Sequence, residues 1–186
     1  MINIPTFFHE LLGKYQTKAS LMIIASFVLI SGFALSILAY DEWINLSIVK
    51  IIVAWFLFLD ISGGVVANLT EGTDIFYDQH PRKRWIFIAI HVQPLILAWS
   101  LEVSMSYGLI IWAYTIICAS LLNLMRKHPV HRPMAGFLTA FGFLIVAYFA
   151  QSMPFFATSL LMFYVFKVLY SFSVYHQKGV LRHEHS

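Results

Sequence analysis

An all-α, polytopic membrane protein is the fold class the sequence predicts: a six-transmembrane-helix bundle with both termini cytoplasmic. Three observations lead there. First, the 186 residues are 60% hydrophobic and only 11% charged, whereas a soluble domain carries about 25% charged residues. So little polar surface cannot clothe a globule in water, and the bilayer is the solvent in which it need not. Second, the apolar residues fall into six runs, each near the roughly 17–25 residues that cross the hydrocarbon core. Third, the basic residues gather in alternate connections between those runs.

The first run, Ala19–Tyr40, follows Lys14 and Lys18 and so has the outline of a charged leader with an apolar core. It exceeds the roughly 7–15 residues of a cleavable leader's apolar part and is expected to stay as a span. The remaining spans are Ile51–Leu69, Trp85–Leu101 (the shortest), Tyr107–Met125, Met134–Met153 and Phe155–Tyr175. Only Ser152, Met153 and Pro154 part the last two, and the proline favours a tight turn over one continuous helix. Residues 1–186 read as a single transmembrane domain, because the longest connection, near 70–84, is too short for a core of its own. Residues 176–186, with His176, His183 and His185, read as a solvated tail.

Orientation follows from lysine and arginine. Lys14, Lys18, Arg82, Lys83, Arg84, Arg126, Lys127, Arg132, Lys178 and Arg182 lie at one set of ends, ten in all. The opposite connections hold Asp41, Glu42, Glu102 and the single base Lys50. Ten against one predicts that both termini face the cytoplasm, and the plasma membrane is the expected location.

Composition also excludes. The lone cysteine, Cys118, sits in an apolar run, so there is no disulfide framework. The positive charges lie in short clusters, which implies no nucleic acid. No glycine-rich phosphate loop, redox-centre ligation pattern or histidine box occurs, and no cofactor is expected.

Chemistry concentrates where charge enters the spans. Asp60 lies near the middle of the second run, where an acid costs about 2.5–3.5 kcal/mol. On a continuous helix Gly64, Ala67 and Glu71 fall within about 40° of it, with Asn68 about 80° away. On the third run Arg84, His91, Pro94, Ala98 and Glu102 share the face of His80 if the helix is unbroken. Pro94 removes an amide and would kink that helix near His91. Lys167 sits about as deep on the sixth run, with Tyr164, Tyr170 and Ser171 around it. Asp60, Asn68, Glu71, Arg84, His91 and Lys167 are therefore the candidates for a substrate or proton pathway. A purely structural alternative stands beside it, an Asp60–Lys167 ion pair with His91 as a neutral hydrogen-bond donor.

Two basic or mixed connections are also dense. Glu71, Asp74 and Asp78 recur at helical spacing, followed by His80 and His91, a carboxylate–histidine set that could hold a divalent cation. No tight histidine pair accompanies them, and an interfacial role with no metal is the expectation. Arg126, Lys127, His131 and Arg132 cluster around two prolines and are candidates for a phosphate or lipid headgroup. Small residues at Ala25, Gly32, Ser36 and Ala39, and at Gly136, Ala140 and Ala147, mark expected helix-packing stripes. The seventeen phenylalanines read as lipid-facing bulk.

These features lead to a small permease or channel-like protein for a small polar solute or ion, with proton coupling through Asp60 and His91. The alternatives are a membrane-embedded enzyme acting on a lipid or isoprenoid phosphate, with Asp60 or His91 as general base, and an accessory membrane subunit. The expected partners are the lipid bilayer and a small polar solute or lipid substrate.

Overall fold

A computed structural model describes residues 1–44 and 46–176. The chain begins with β1 (Ile2–Asn3) and β2 (Tyr15–Gln16), paired antiparallel around the short helix α1 (His9–Leu12). Gly13 turns this segment at φ 70°. A Cβ there would lie 2.0 Å from the Gly72 carbonyl oxygen, so the N-terminal segment presses its backbone against the middle of the chain.

The helices that follow are α2 (Lys18–Leu38), α3 (Tyr40–Trp43), α4 (Ile48–Ala67), α5 (Glu71–Gln79), α6 (Pro81–Ile90), α7 (Gln93–Ser100), α8 (Met105–Leu124), α9 (His131–Phe149) and α10 (Phe155–Phe166), the last continuing as a π-helical turn over Lys167–Phe172. Side chains supply two of the caps. The Thr17 hydroxyl accepts from the Ser20 amide at 2.9 Å and starts α2. The Glu42 carboxylate accepts from the Phe155 and Phe156 amides at 2.5 and 3.0 Å, satisfying the first free N–H groups of α10.

The described residues are all-helical apart from β1 and β2, and five helices are long and apolar enough to cross a membrane: Lys18–Leu38, Ile48–Ala67, Met105–Leu124, His131–Ser152 and Phe155–Phe172. The run Trp85–Leu101 is not one helix. It breaks after Ile90, where His91 leaves helical geometry at φ −78° and ψ 63°, and resumes at Gln93 with Pro94 in the first turn of α7. The chain near 70–84 is also helical, because α5 buries Thr73, Asp74, Phe76 and Tyr77 on one face while Glu71, Asp78 and Gln79 stay outside. A second break at His80 precedes Pro81, which suits the start of α6 since its missing N–H is not needed there. The continuous helix assumed for the face of His80, Arg84 and His91 is thus two helices, α6 and α7, with His80 and His91 both outside helical geometry.

The last span is the centre of the bundle: 67% of it is buried, against 6% of α2, which packs chiefly on α4. Around it the phenylalanines are not all lipid-facing. Phe58 and Phe156 are fully enclosed and pack with Trp43 and Trp55 at one end. At the other end Phe87 stacks on Phe172, centroids 3.7 Å apart, with Tyr77 edge-on to both. Of the small-residue stripes, Gly32 does admit a neighbour, the Phe58 ring, 3.1 Å from where a Cβ would sit. The stripe on α9 is displaced: Gly136 has open space beside it and Ala140 and Ala147 are exposed, while Ala135, Thr139, Gly142 and Val146 make the contact. Helix rotation is set by the neighbouring surfaces, and one sequence contains several small-residue stripes.

Candidate functional site

Asp60 stands in α4 and Lys167 opens the π turn, each about twelve residues from the same end of its span, so they meet at one level. The Lys167 ammonium donates to Asp60 Oδ2 at 3.1 Å and to the Asp60 backbone carbonyl at 3.2 Å. Glycine makes the room: a Cβ on Gly64 would lie 2.3 Å from Lys167 Cε and 2.9 Å from Cδ. The lysine side chain is only 2% exposed, whereas the aspartate side chain is 36% exposed. The ammonium is therefore sealed inside the bundle and the carboxylate forms the accessible edge of the site. One turn further along, Ser171 donates to the Val65 carbonyl at 2.7 Å and fixes the π turn against α4. Single π turns within α-helices concentrate at functional positions.

The break between α6 and α7 lies beside this pair. Gln93, the first residue of α7, donates its amide to Asp60 Oδ2 at 2.7 Å. His91 is buried, and its Nδ1 donates to the Phe87 carbonyl, which can only accept. In the neutral ring Nε2 is then an acceptor, and it meets no donor among the described residues. Tyr164 donates to the His91 carbonyl at 2.8 Å, satisfying a backbone group freed by the break. Gln93 was not among the residues singled out from sequence. The signal available was an amide in the middle of an apolar run, next to the proline that ends the helix.

The other candidates lie elsewhere. Asn68 is buried at the end of α4, and its amide nitrogen has no partner among the described residues. Glu71 is not on the Asp60 face: α4 ends at Ala67 and the chain restarts as α5, leaving Glu71 exposed at a cavity of about 300 Å³ with Lys14, Tyr15 and Gly72. Arg84 is buried two turns from His91. Its Nε donates to Asn123 Oδ1 at 2.8 Å, its Nη2 lies 3.4 Å from the Phe172 and Ser173 carbonyls, and its plane covers the Phe172 ring.

Arg126 pairs with Asp78 at 2.8 Å and lies over Tyr175. With Lys127 and Arg84 it lines a cleft of about 720 Å³. Lys127, His131 and Arg132 border an adjoining cleft of about 240 Å³, and His131 itself is buried at the start of α9.

The acidic run disperses. Asp78 goes to Arg126, and Asp74 is buried and accepts from the His176 backbone amide at 2.9 Å. Burial lifts the Asp74 carboxyl to about 6, against the opposing pull of that hydrogen bond and of Arg84 and Arg126. Among the described residues no three histidine, cysteine or carboxylate side chains gather as a metal site. His176 is half-buried rather than solvated, with its ring held at the Ser171 carbonyl. Burial lowers the pKa of that ring. His183 and His185, with the rest of 177–186, lie outside the described residues.

No family model, curated protein or solved structure matches the chain.

Proposed function

We propose that the protein is a small permease or channel-like protein moving protons or a small polar solute past the Asp60–Lys167 pair. In this reading α6 and α7 together form a sixth, discontinuous crossing of the plasma membrane. Both termini and the basic connections then face the cytoplasm, in keeping with the charge asymmetry.

The observation that carries the reading is the helix break at the level of a buried ion pair. Unwound backbone inside a membrane is tolerated where protein or a polar site satisfies it, and broken helices are how transporters build binding sites near the midplane. Here the break supplies three things: Gln93 on the carboxylate, the His91 carbonyl held by Tyr164, and an imidazole with a spare acceptor. A proton arriving at the Asp60 edge meets a carboxylate shared with a lysine, and a neutral imidazole stands in the same cluster.

The enzyme alternative asks the base and the phosphate-holding residues to share one cleft. Arg84 and His91 are seven residues apart, about 10 Å along a helix axis. The clefts beside Arg84, Arg126, Lys127 and Arg132 are lined without Asp60, His91 or Lys167. That separation favours transport.

The test is proton flux into liposomes containing the purified protein and an entrapped pH-sensitive dye, driven by a potassium diffusion potential. Flux above protein-free liposomes, abolished by Asp60→Asn in a protein that still inserts, is the expected result. Wild-type flux equal to that of empty liposomes, or an Asp60→Asn protein as active as wild type, would overturn it.

A further inference from the structure

The cleft between α6, the end of α8 and Tyr175 holds more positive charge than its described lining balances. Arg84, Arg126 and Lys127 line it, and among the described residues Asp78 is the only acid in its lining. Arg84 is 5% exposed, yet none of the four ion pairs among the described residues includes it. Its guanidinium is instead oriented by a neutral acceptor, Asn123, and by the face of Phe172, centred 4.6 Å away. Nη1 makes no hydrogen bond among the described residues. A buried cation without a carboxylate in direct contact is costly, and a guanidinium held in plane is preorganised for the oxygens of a phosphate.

The surroundings say what the phosphate is attached to. Trp85 and Leu124, on the rim, are 43% and 74% exposed. Leu121 and Ile117 extend that exposed apolar strip along α8 away from the cleft, at helical spacing. A free phosphate has no use for such a track, whereas an acyl chain does.

We infer that this cleft binds the phosphate of an anionic phospholipid, with Arg84, Arg126 and Lys127 on the headgroup and an acyl chain along Leu124, Leu121 and Ile117. The site is distinct from the Asp60–Lys167 pair, and binding there is read out without flux.

Native mass spectrometry of the delipidated protein, titrated with phosphatidylglycerol or with phosphatidylcholine, tests it. Preferential retention of phosphatidylglycerol is expected. Arg126→Gln and Lys127→Gln should each weaken it about fivefold, and the double variant about twenty-five-fold, as expected for loss of one and two cations at a lipid surface. Substitution is confined to these two side chains so that the packing of Arg84 is untouched, and Lys18→Gln, at the exposed start of α2, should change nothing. Equal retention of the two lipids, or a preference that survives the double substitution, would overturn the inference. Glycerol phosphate and inorganic phosphate are expected not to displace the lipid at equal concentration. Displacement by either would make this a soluble-phosphate site and overturn the lipid assignment.

Discussion

Two ion pairs use α4, and they differ in almost everything except chemistry. Lys50 reaches Glu102 at 2.6 Å, with side chains 23% and 59% exposed. Lys167 reaches Asp60 at the longer distance of 3.1 Å, with side chains 2% and 36% exposed. The shorter contact is the weaker one. Solvated charges gain little from pairing and lose side-chain freedom, so an exposed pair contributes about 0–1 kcal/mol. In the interior each charge depends on the other, because the alternative is an uncompensated ion away from water. Burial, not separation, decides what each pair does.

The largest expected effect breaks that dependence from one side. Asp60→Leu strands an ammonium that is sealed in the bundle and should destabilise the folded protein by about 3–5 kcal/mol. Lys167→Met leaves a carboxylate that is a third exposed and still holds Gln93, so its cost should be smaller. Joining the two substitutions should recover most of the stability while leaving flux absent. Thermal unfolding in detergent, read with dye-reported flux, checks both. A double variant no more stable than Asp60→Leu would mean that the two charges do not depend on each other.

Gly64→Ala sharpens the comparison without removing a charge. The added methyl falls on the Lys167 stem, so the ammonium must leave Asp60 or α4 must yield, at about 1–3 kcal/mol. Flux should drop while Gly63→Ala, where a Cβ meets open space, leaves flux unchanged. Equal effects at the two glycines would argue against lysine displacement.

These consequences were legible in the sequence to different depths. That Asp60 and Lys167 could meet followed from their equal depth in two spans. Hydropathy likewise located the five long helices. It could not show that the last span is the central one, because a buried span and a lipid-facing one are both apolar. For the same reason Phe58, Phe156 and Phe87 gave no sign of being core. Pro94 announced a disturbance in the third run, but a kink and a full break differ only in which carbonyls find partners, and Tyr164 supplies one from far along the chain. Asn123 as the acceptor for Arg84 is a contact between distant residues with no local pattern. Glu71 was assigned to the wrong face because helical angles were carried across the turn that ends α4.

A smaller effect comes from Asp74. Its folded pKa, about 6, lies above the ordinary carboxyl value of 3.8, so the folded state holds the proton more tightly than the unfolded chain. Its contribution is present below about pH 4 and is lost as pH rises through about 6, by at most about 3 kcal/mol. Asp74→Asn keeps an acceptor for the His176 amide and cannot ionise. It should match wild type near pH 4 and be the more stable protein above pH 6 in detergent melts. The reverse order would contradict the burial of Asp74.

The smallest effect belongs to the exposed pair. Lys50→Gln should cost less than about 1 kcal/mol and leave flux intact.

The charge state of Asp60 tests the ion pair most directly. Infrared difference spectra between wild type and Asp60→Asn, both labelled with carbon-13 aspartate, isolate that one carboxyl group. At neutral pH the account predicts an ionised carboxylate band, shifted when Lys167 is replaced by methionine. A protonated carbonyl band, or a carboxylate band indifferent to Lys167→Met, would contradict it.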